Sequence, residues 1–248
     1  MTPEVEVLVL AALFFAAALL YSSVGHAGAS AYLAAMALVG IAPATMRPTA
    51  LALNLFVASI VIVRFAGAGH LPWRSLVPLA VGSVPMAFIG GSISLPGEVY
   101  RPLVALVLLA GAARLATATT SVDDEERPGV PILPGVAAGA TIGLLAGLTG
   151  TGGGIFLTPL LVLAAWTGTR DAAGLSGAFI LVNSIAGLAG LLGSGVSLPS
   201  AMPLWIASVA AGGLIGSWLG AARFSILNVR RALAFVLVLA AAKLVFLP

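Results

Sequence analysis

The chain has 248 residues, 60% of them hydrophobic and only 8% charged, with a formal net charge of +3. Soluble domains carry about 25% charged residues and cannot expose this much apolar surface to water, so the composition excludes a water-soluble globular protein. The chain has no cysteine and only two histidines, which excludes a disulfide framework and leaves little from which to build a transition-metal site. No cofactor is expected, and so thin a basic excess makes no case for nucleic acid.

The solvent for most of this chain is therefore the lipid bilayer. A hydrocarbon core of about 30 Å needs roughly 20 apolar residues per helix, and many such runs are present. They are rich in Ala, Leu, Val and Gly and lack the alternation of a barrel strand. The expected fold class is all-α, a polytopic integral membrane protein.

In chain order, Met1-Thr2-Pro3-Glu4-Val5-Glu6 has no basic flank of the secretory type, so the first apolar run reads as a retained span. Apolar segments follow at roughly 5–24, 29–39, 48–63, 75–93 and 102–118. An acidic, proline-rich stretch, 119–134, contains Asp123-Asp124-Glu125-Glu126-Arg127 and Pro128, Pro131 and Pro134. Its charges are excluded from lipid and its prolines break a helix, which makes it the linker between two halves, expected on the cytoplasmic side by the distribution of Arg and Lys. Five more segments lie at 135–148, 155–166, 174–192, 202–219 and 229–246.

These segments form two repeats, 1–118 and 135–248, offset by about 130 residues. Gly25-His26-Ala27-Gly28-Ala29 precedes a short segment in the first, and Gly150-Thr151-Gly152-Gly153-Gly154 does so in the second. Gly40 then pairs with Gly168, Asn54 with Asn183, Leu71-Pro72 with Leu198-Pro199, Arg101 with Arg230, and Arg114 with Lys243. With both termini outside, Arg64, Arg74, Arg114, Arg127, Arg170, Arg223, Arg230 and Arg231 fall inside. Only Arg47, Arg101 and Lys243 fall outside, in keeping with the positive-inside rule. An odd number of segments per half inverts the second repeat, a pattern common among secondary transporters of the cell membrane. Segments 29–39 and 155–166 reach only about 16 to 18 Å at 1.5 Å per residue, too short to span. Each repeat thus opens with either two crossings or a re-entrant hairpin.

Non-helical backbone is tolerated at membrane depth only where it is buried in protein or lines a cavity. Glycine permits a sharp turn and close approach of amide N–H groups, and the helix N-terminus beyond it adds partial positive charge. Gly25, Gly28, Gly150, Thr151, Gly152, Gly153 and Gly154 are therefore candidate binding residues for a small anionic substrate. Close helix packing is the competing use of glycine in membranes.

Leu148-Thr149-Gly150-Thr151-Gly152-Gly153-Gly154, followed by Thr158-Pro159-Leu160-Leu161 and the Ala/Gly/Ser-rich segment 174–192, resembles the signature of the TauE/SafE family of sulfite-exporter-like membrane permeases. Ser22 to Ser30 is similar to a degraded second copy, and the resemblance covers nearly the whole chain. It implies transport of sulfite, organosulfonates such as sulfoacetate, or related small anions, often outward. The first half departs from the pattern in carrying His26 and Ala27, and Arg47-Pro48 stands where the second half has Ser176-Gly177.

Arg47, beside the first glycine turn with Pro48 in the first helical turn, either grips anion oxygens through its planar fork or snorkels to the headgroups. Arg170, next to Asp171, reads as an inside topological charge. His26 either donates to the anion or carries a coupling proton near its usual pKa of about 6.5, or else packs as a bonded imidazole. His70, beside Trp73 and Arg74, reads as interfacial. Asn54 and Asn183 must face the protein interior, as ligands or as interhelical hydrogen bonds. Ser22, Ser23, Thr49, Thr149, Thr151 and Ser176 are further polar candidates, and the four tryptophans read mostly as interfacial anchors.

All eight acidic residues are read in termini, loops or linker, which leaves no buried carboxylate as a proton or sodium relay. An inside-negative potential alone favours outward anion movement by about 2.3 kcal/mol per charge per 100 mV. The expectation is a potential-driven exporter, with an anion channel or an importer of another small organic anion as alternatives. Gly174-Leu175-Ser176-Gly177 matches the Gly-x-Ser-Gly of intramembrane rhomboid proteases, but no histidine follows position 70 to serve as base, so an enzyme is not expected. A homo-oligomer is compatible with the sequence.

Overall fold

A computed structural model describes residues 2–23, 28–117, 127–193, 198–219 and 226–246. Gly25 and His26 lie outside the described residues. Among the described residues the regular structure is all helix, without strands: α1 Pro3–Ser23, α2 Ala29–Val39, α3 Pro43–Gly67, α4 Trp73–Ser92, α5 Gly97–Thr117, α6 Ile132–Thr149, α7 Gly154–Leu163, α8 Thr169–Leu192, α9 Met202–Leu219 and α10 Ile226–Phe246. Among the described residues, α1, α3, α4, α5, α6 and α8 are long and apolar enough to cross a bilayer, which makes this a multi-pass membrane protein.

The helix pairings run in matched sets. When α1 to α5 are numbered against α6 to α10, the α1–α9 contact corresponds to α4–α6, α3–α9 to α4–α8, and α2–α10 to α5–α7. The α3–α8 and α5–α10 contacts correspond to themselves.

Lipid provides no hydrophobic drive for helix association, so close contact depends on small residues that let backbones meet. On α6, a Cβ at Gly139, Gly143 or Gly147 would stand 2.2 to 2.4 Å from a carbonyl oxygen of α4. On α9, a Cβ at Gly212 or Gly216 would stand 2.3 or 2.1 Å from the Phe15 or Leu19 oxygen of α1. Larger side chains fill the remaining interior. Phe14 sits edge-on to both Tyr32 and Trp205, with ring centroids 5.6 and 5.5 Å away. Leu133, Leu163 and Trp218 are each about four-fifths exposed, as an outer surface bathed in lipid requires.

Four local expectations are corrected. Helix α3 starts at Pro43, which takes the first-turn position, so Arg47 and Pro48 lie inside the helix rather than at its opening. Helix α7 ends at Leu163, three residues early, where Ala165 turns the chain with φ 53°. Glu98 and Asp171 occupy first turns of α5 and α8, where the positive end of the helix dipole favours a carboxylate, rather than loops. Trp205 is buried, and its Nε1 donates to the Val7 carbonyl at 3.1 Å, so it pins α9 to α1 instead of anchoring at the interface.

Candidate substrate-binding site

Between α6 and α7 the chain reverses over four residues, with φ 85° at Gly150, 71° at Gly152 and 84° at Gly153. Three left-handed residues in so short a stretch require glycine. A Cβ at Gly153 would stand 2.8 Å from both Ile142 Cγ2 and Phe179 Cε1, so the turn is enclosed as well as strained for other residues. Thr149 Oγ1 and Thr151 Oγ1 share a hydrogen bond of 2.9 Å, and Tyr100 Oη donates to the Thr149 carbonyl at 3.0 Å.

The first turn is described from Gly28, φ 79°, whose carbonyl accepts from the amides of Ala31 and Tyr32 as α2 begins. Tyr21 near the end of α1 and Ser30 on α2 are linked by a 2.9 Å hydrogen bond between their hydroxyls.

Both turns open on one cavity. Gly28, Ser30 and Tyr21 line it from the first half, and Thr151, Gly154 and Ile155 from the second. Arg114 of α5 and Ile180 of α8 complete its walls. The N-terminal ends of two short helices therefore border a single space with Arg114 in its wall, and helix N-termini favour negative charge.

The predicted site residues Arg47, Asn54, Ser176 and Asn183 do not line this cavity. Asn54 on α3 is fully buried beneath Gly152, and its Nδ2 donates to Ser184 Oγ on α8 at 3.3 Å. Asn183 is fully buried, and neither atom of its amide has a partner; Asn54 Oδ1 and Thr49 Oγ1 are also unpartnered. Such groups are costly in a dry interior and mark a place for water or ligand. Ser176 Oγ shares a 2.7 Å hydrogen bond with Thr158 Oγ1, which also donates to the Gly154 carbonyl, so Ser176 braces the start of α7.

Arg47 lies behind the second turn, where a Cβ at Gly150 would stand 3.0 Å from the Arg47 carbonyl oxygen. Its Nη1 donates to the Ile93 carbonyl at 2.8 Å, and its Nη2 to the carbonyls of Gly90 and Gly91. The fork thus caps the C-terminal end of α4, where a cation suits the free carbonyls.

Tyr21, Ser30, Arg114 and Ile180 are cavity residues that the sequence reading did not single out. For Arg114 a signal was present: a charge within an apolar segment, paired in the repeat with Lys243. The counterpart caps α2, with Lys243 Nζ donating to the Leu38 carbonyl at 2.6 Å. On the flank of the molecule, His70 Nδ1 and Asp171 Oδ1 lie 3.0 Å apart and join the α3–α4 loop to α8. Among the described residues, no three His, Asp or Glu side chains gather in a way that could hold a metal ion.

The family model of the sulfite exporter TauE/SafE matches residues 10–244. A protein of Sinorhizobium fredii (strain NBRC 101917 / NGR234) named "Probable membrane transporter protein" is 38% identical over 248 residues, covering 98% of this chain and all of the relative. A protein of Methanocaldococcus jannaschii with the same description is 27% identical over 140 residues, 54% of this chain and 51% of the relative. No solved structure matches the chain. With a family match over nearly its full length and relatives described as membrane transporters, the chain belongs to the TauE/SafE sulfite exporter family.

Proposed function

We propose that this protein exports small sulfur-containing anions, sulfite or organosulfonates such as sulfoacetate, across a bacterial-type cell membrane. The observation that carries this reading is the shared cavity, to which both glycine turns contribute and where Arg114 supplies positive charge. The two repeats, 1–118 and 135–248, are inverted about that cavity with both termini outside and the linker 119–134 inside. The matched helix pairings support this arrangement, because contacts related by the repeat recur across the molecule. Each repeat opens with a hairpin of one long and one short helix, α1–α2 and α6–α7, a reading supported by the short α2 and α7 and by a cavity that both turns share.

Transport is a rocking of these two hairpin units about the anion, driven outward by membrane potential at about 2.3 kcal/mol per charge per 100 mV. The test is flux in proteoliposomes under an imposed potential with sulfite, sulfoacetate, sulfate and chloride. Saturable sulfite or sulfoacetate flux that follows the potential, with sulfate and chloride carried at least tenfold more slowly, is the expected result. Non-saturating flux would instead describe an anion channel, and no flux of any of the four would overturn the substrate class.

A further inference from the structure

We infer that Ile180 gates a passage from the cavity to a second polar site, made by Asn54, Asn183 and Ser184 within the α3–α8 contact. The inference rests on the reading of the cavity as the substrate's site and specifies how a substrate leaves it.

A single residue, Gly152, stands between the cavity wall and the buried polar groups of Asn54 and Ser184. On the cavity side stand Thr151, Gly154 and Ile180. On the far side stand Asn54 and Ser184, both fully buried. Between them is Gly152, where a Cβ would stand 2.8 Å from Ile180 Cγ2, 2.9 Å from Asn54 Nδ2 and 3.3 Å from Ser184 Oγ. The hydrogen in place of that side chain is what separates an apolar wall from a polar one. Ile180 closes the same wall at Gly154, where a Cβ would stand 2.4 Å from Ile180 Cδ1.

The far side has the chemistry of a binding site rather than of a finished contact. Asn183 and Ser184 follow Ile180 by three and four residues on α8, which places them one turn along the same face. Asn183 offers an unpartnered donor and an unpartnered acceptor, and Asn54 an unpartnered acceptor. A small group that both donates and accepts hydrogen bonds satisfies this set: water, or an acidic oxyanion that retains a proton. The amides are neutral, so an anion held near Arg114 would be bound less tightly here. Weaker binding at a second station lets a substrate leave as well as enter. An isoleucine side chain that can change rotamer between the two provides the barrier.

The chain's lack of cysteine makes the test direct. Ser184→Cys introduces a single thiol at the far site, and its modification by the negatively charged 2-sulfonatoethyl methanethiosulfonate reports whether that site is reached from the cavity. With Ile180 present, labelling is expected to be slow. Adding Ile180→Ala is expected to speed it at least tenfold, and Ile180→Val, which removes only Cδ1, several-fold. The valine variant preserves the test if the alanine variant does not fold. Equal labelling rates with and without Ile180 would overturn the gate, whatever the flux results. A labelling rate that depends on Ile180, in a protein that moves neither sulfite nor sulfoacetate, would uphold the gate and sink only the substrate assignment.

Discussion

Asn54 Nδ2 is 3.3 Å from Ser184 Oγ, and this bond joins the middle stretches of α3 and α8, which pack against each other. It forms directly beneath Gly152, so a contact between α3 and α8 also supports the turn that faces the cavity. The amide is not fully used, because Asn54 Oδ1 has no partner in a position with no exposure.

Asn54→Leu separates the two uses of that amide. Leucine keeps the same branched four-atom skeleton and removes the unpartnered acceptor, while the Ser184 hydroxyl can turn to a carbonyl of its own helix. Thermal stability is therefore expected to stay within about 1 kcal/mol of the parent. Flux is expected to fall at least tenfold if the amide handles substrate. Melting of the detergent-solubilised protein and proteoliposome flux, measured on the same preparation, check this. Flux within twofold of the parent would reduce Asn54 to a packing residue.

Gly153→Ala combines two costs that can be measured apart. Alanine at a left-handed φ costs about 1–2 kcal/mol wherever it occurs. At Gly153, φ 84°, the new Cβ also meets Ile142 and Phe179 at 2.8 Å, whereas at Gly69, φ 78°, it meets nothing within 4 Å. Gly69→Ala therefore measures the backbone cost alone. Gly153→Ala is expected to melt several degrees lower than Gly69→Ala and to lose transport, which Gly69→Ala retains. Equal melting temperatures would mean that the pocket around Gly153 yields without cost.

Arg47 poses a choice between holding helices and holding substrate. Three carbonyls at the end of α4 take its two terminal nitrogens, so Arg47→Lys exchanges a fork for a single point donor that cannot reach all three. The expected result is a loss of about 1–3 kcal/mol in stability with the KM of the transported anion changed less than twofold. A tenfold rise in KM at unchanged melting temperature would assign the guanidinium to the substrate instead.

Legibility from sequence followed the range of the interactions. Helix α2 appears at 29–39 as read, and the 150–154 turn was marked by its glycines, because local backbone chemistry sets both. The start of α3 was misread because Pro43 and Pro48 each suit a first turn, and only the folded chain shows that the earlier one is used. The role of Arg47 was hidden for a different reason. Its carbonyl partners lie 43 to 46 residues later, and backbone acceptors leave no mark in side-chain identity. Arg114 and Tyr21 were missed because α5 and α1 carry apolar residues around their whole circumference, so the face turned to the cavity could not be told from the face turned to lipid.

The α4–α6 contact gives the sharpest test of packing. A Cβ at Gly143 would stand 2.4 Å from the Ser83 carbonyl oxygen and 2.6 Å from Ser83 Cα, both backbone atoms of a packed helix that cannot turn aside. Gly143→Ala must push the helices apart, at about 1–3 kcal/mol for an overpacked site. Gly67, in the last turn of α3, has nothing within 4 Å of its Cβ position, so alanine there brings only its higher helix propensity, worth up to about 1 kcal/mol. The same substitution is thus expected to change stability in opposite directions at the two sites. Melting of the two variants in one detergent decides the matter. If Gly143→Ala melts at or above the parent, α4 and α6 are not held at the separation their glycines permit, and the close backbone contact is not what joins them.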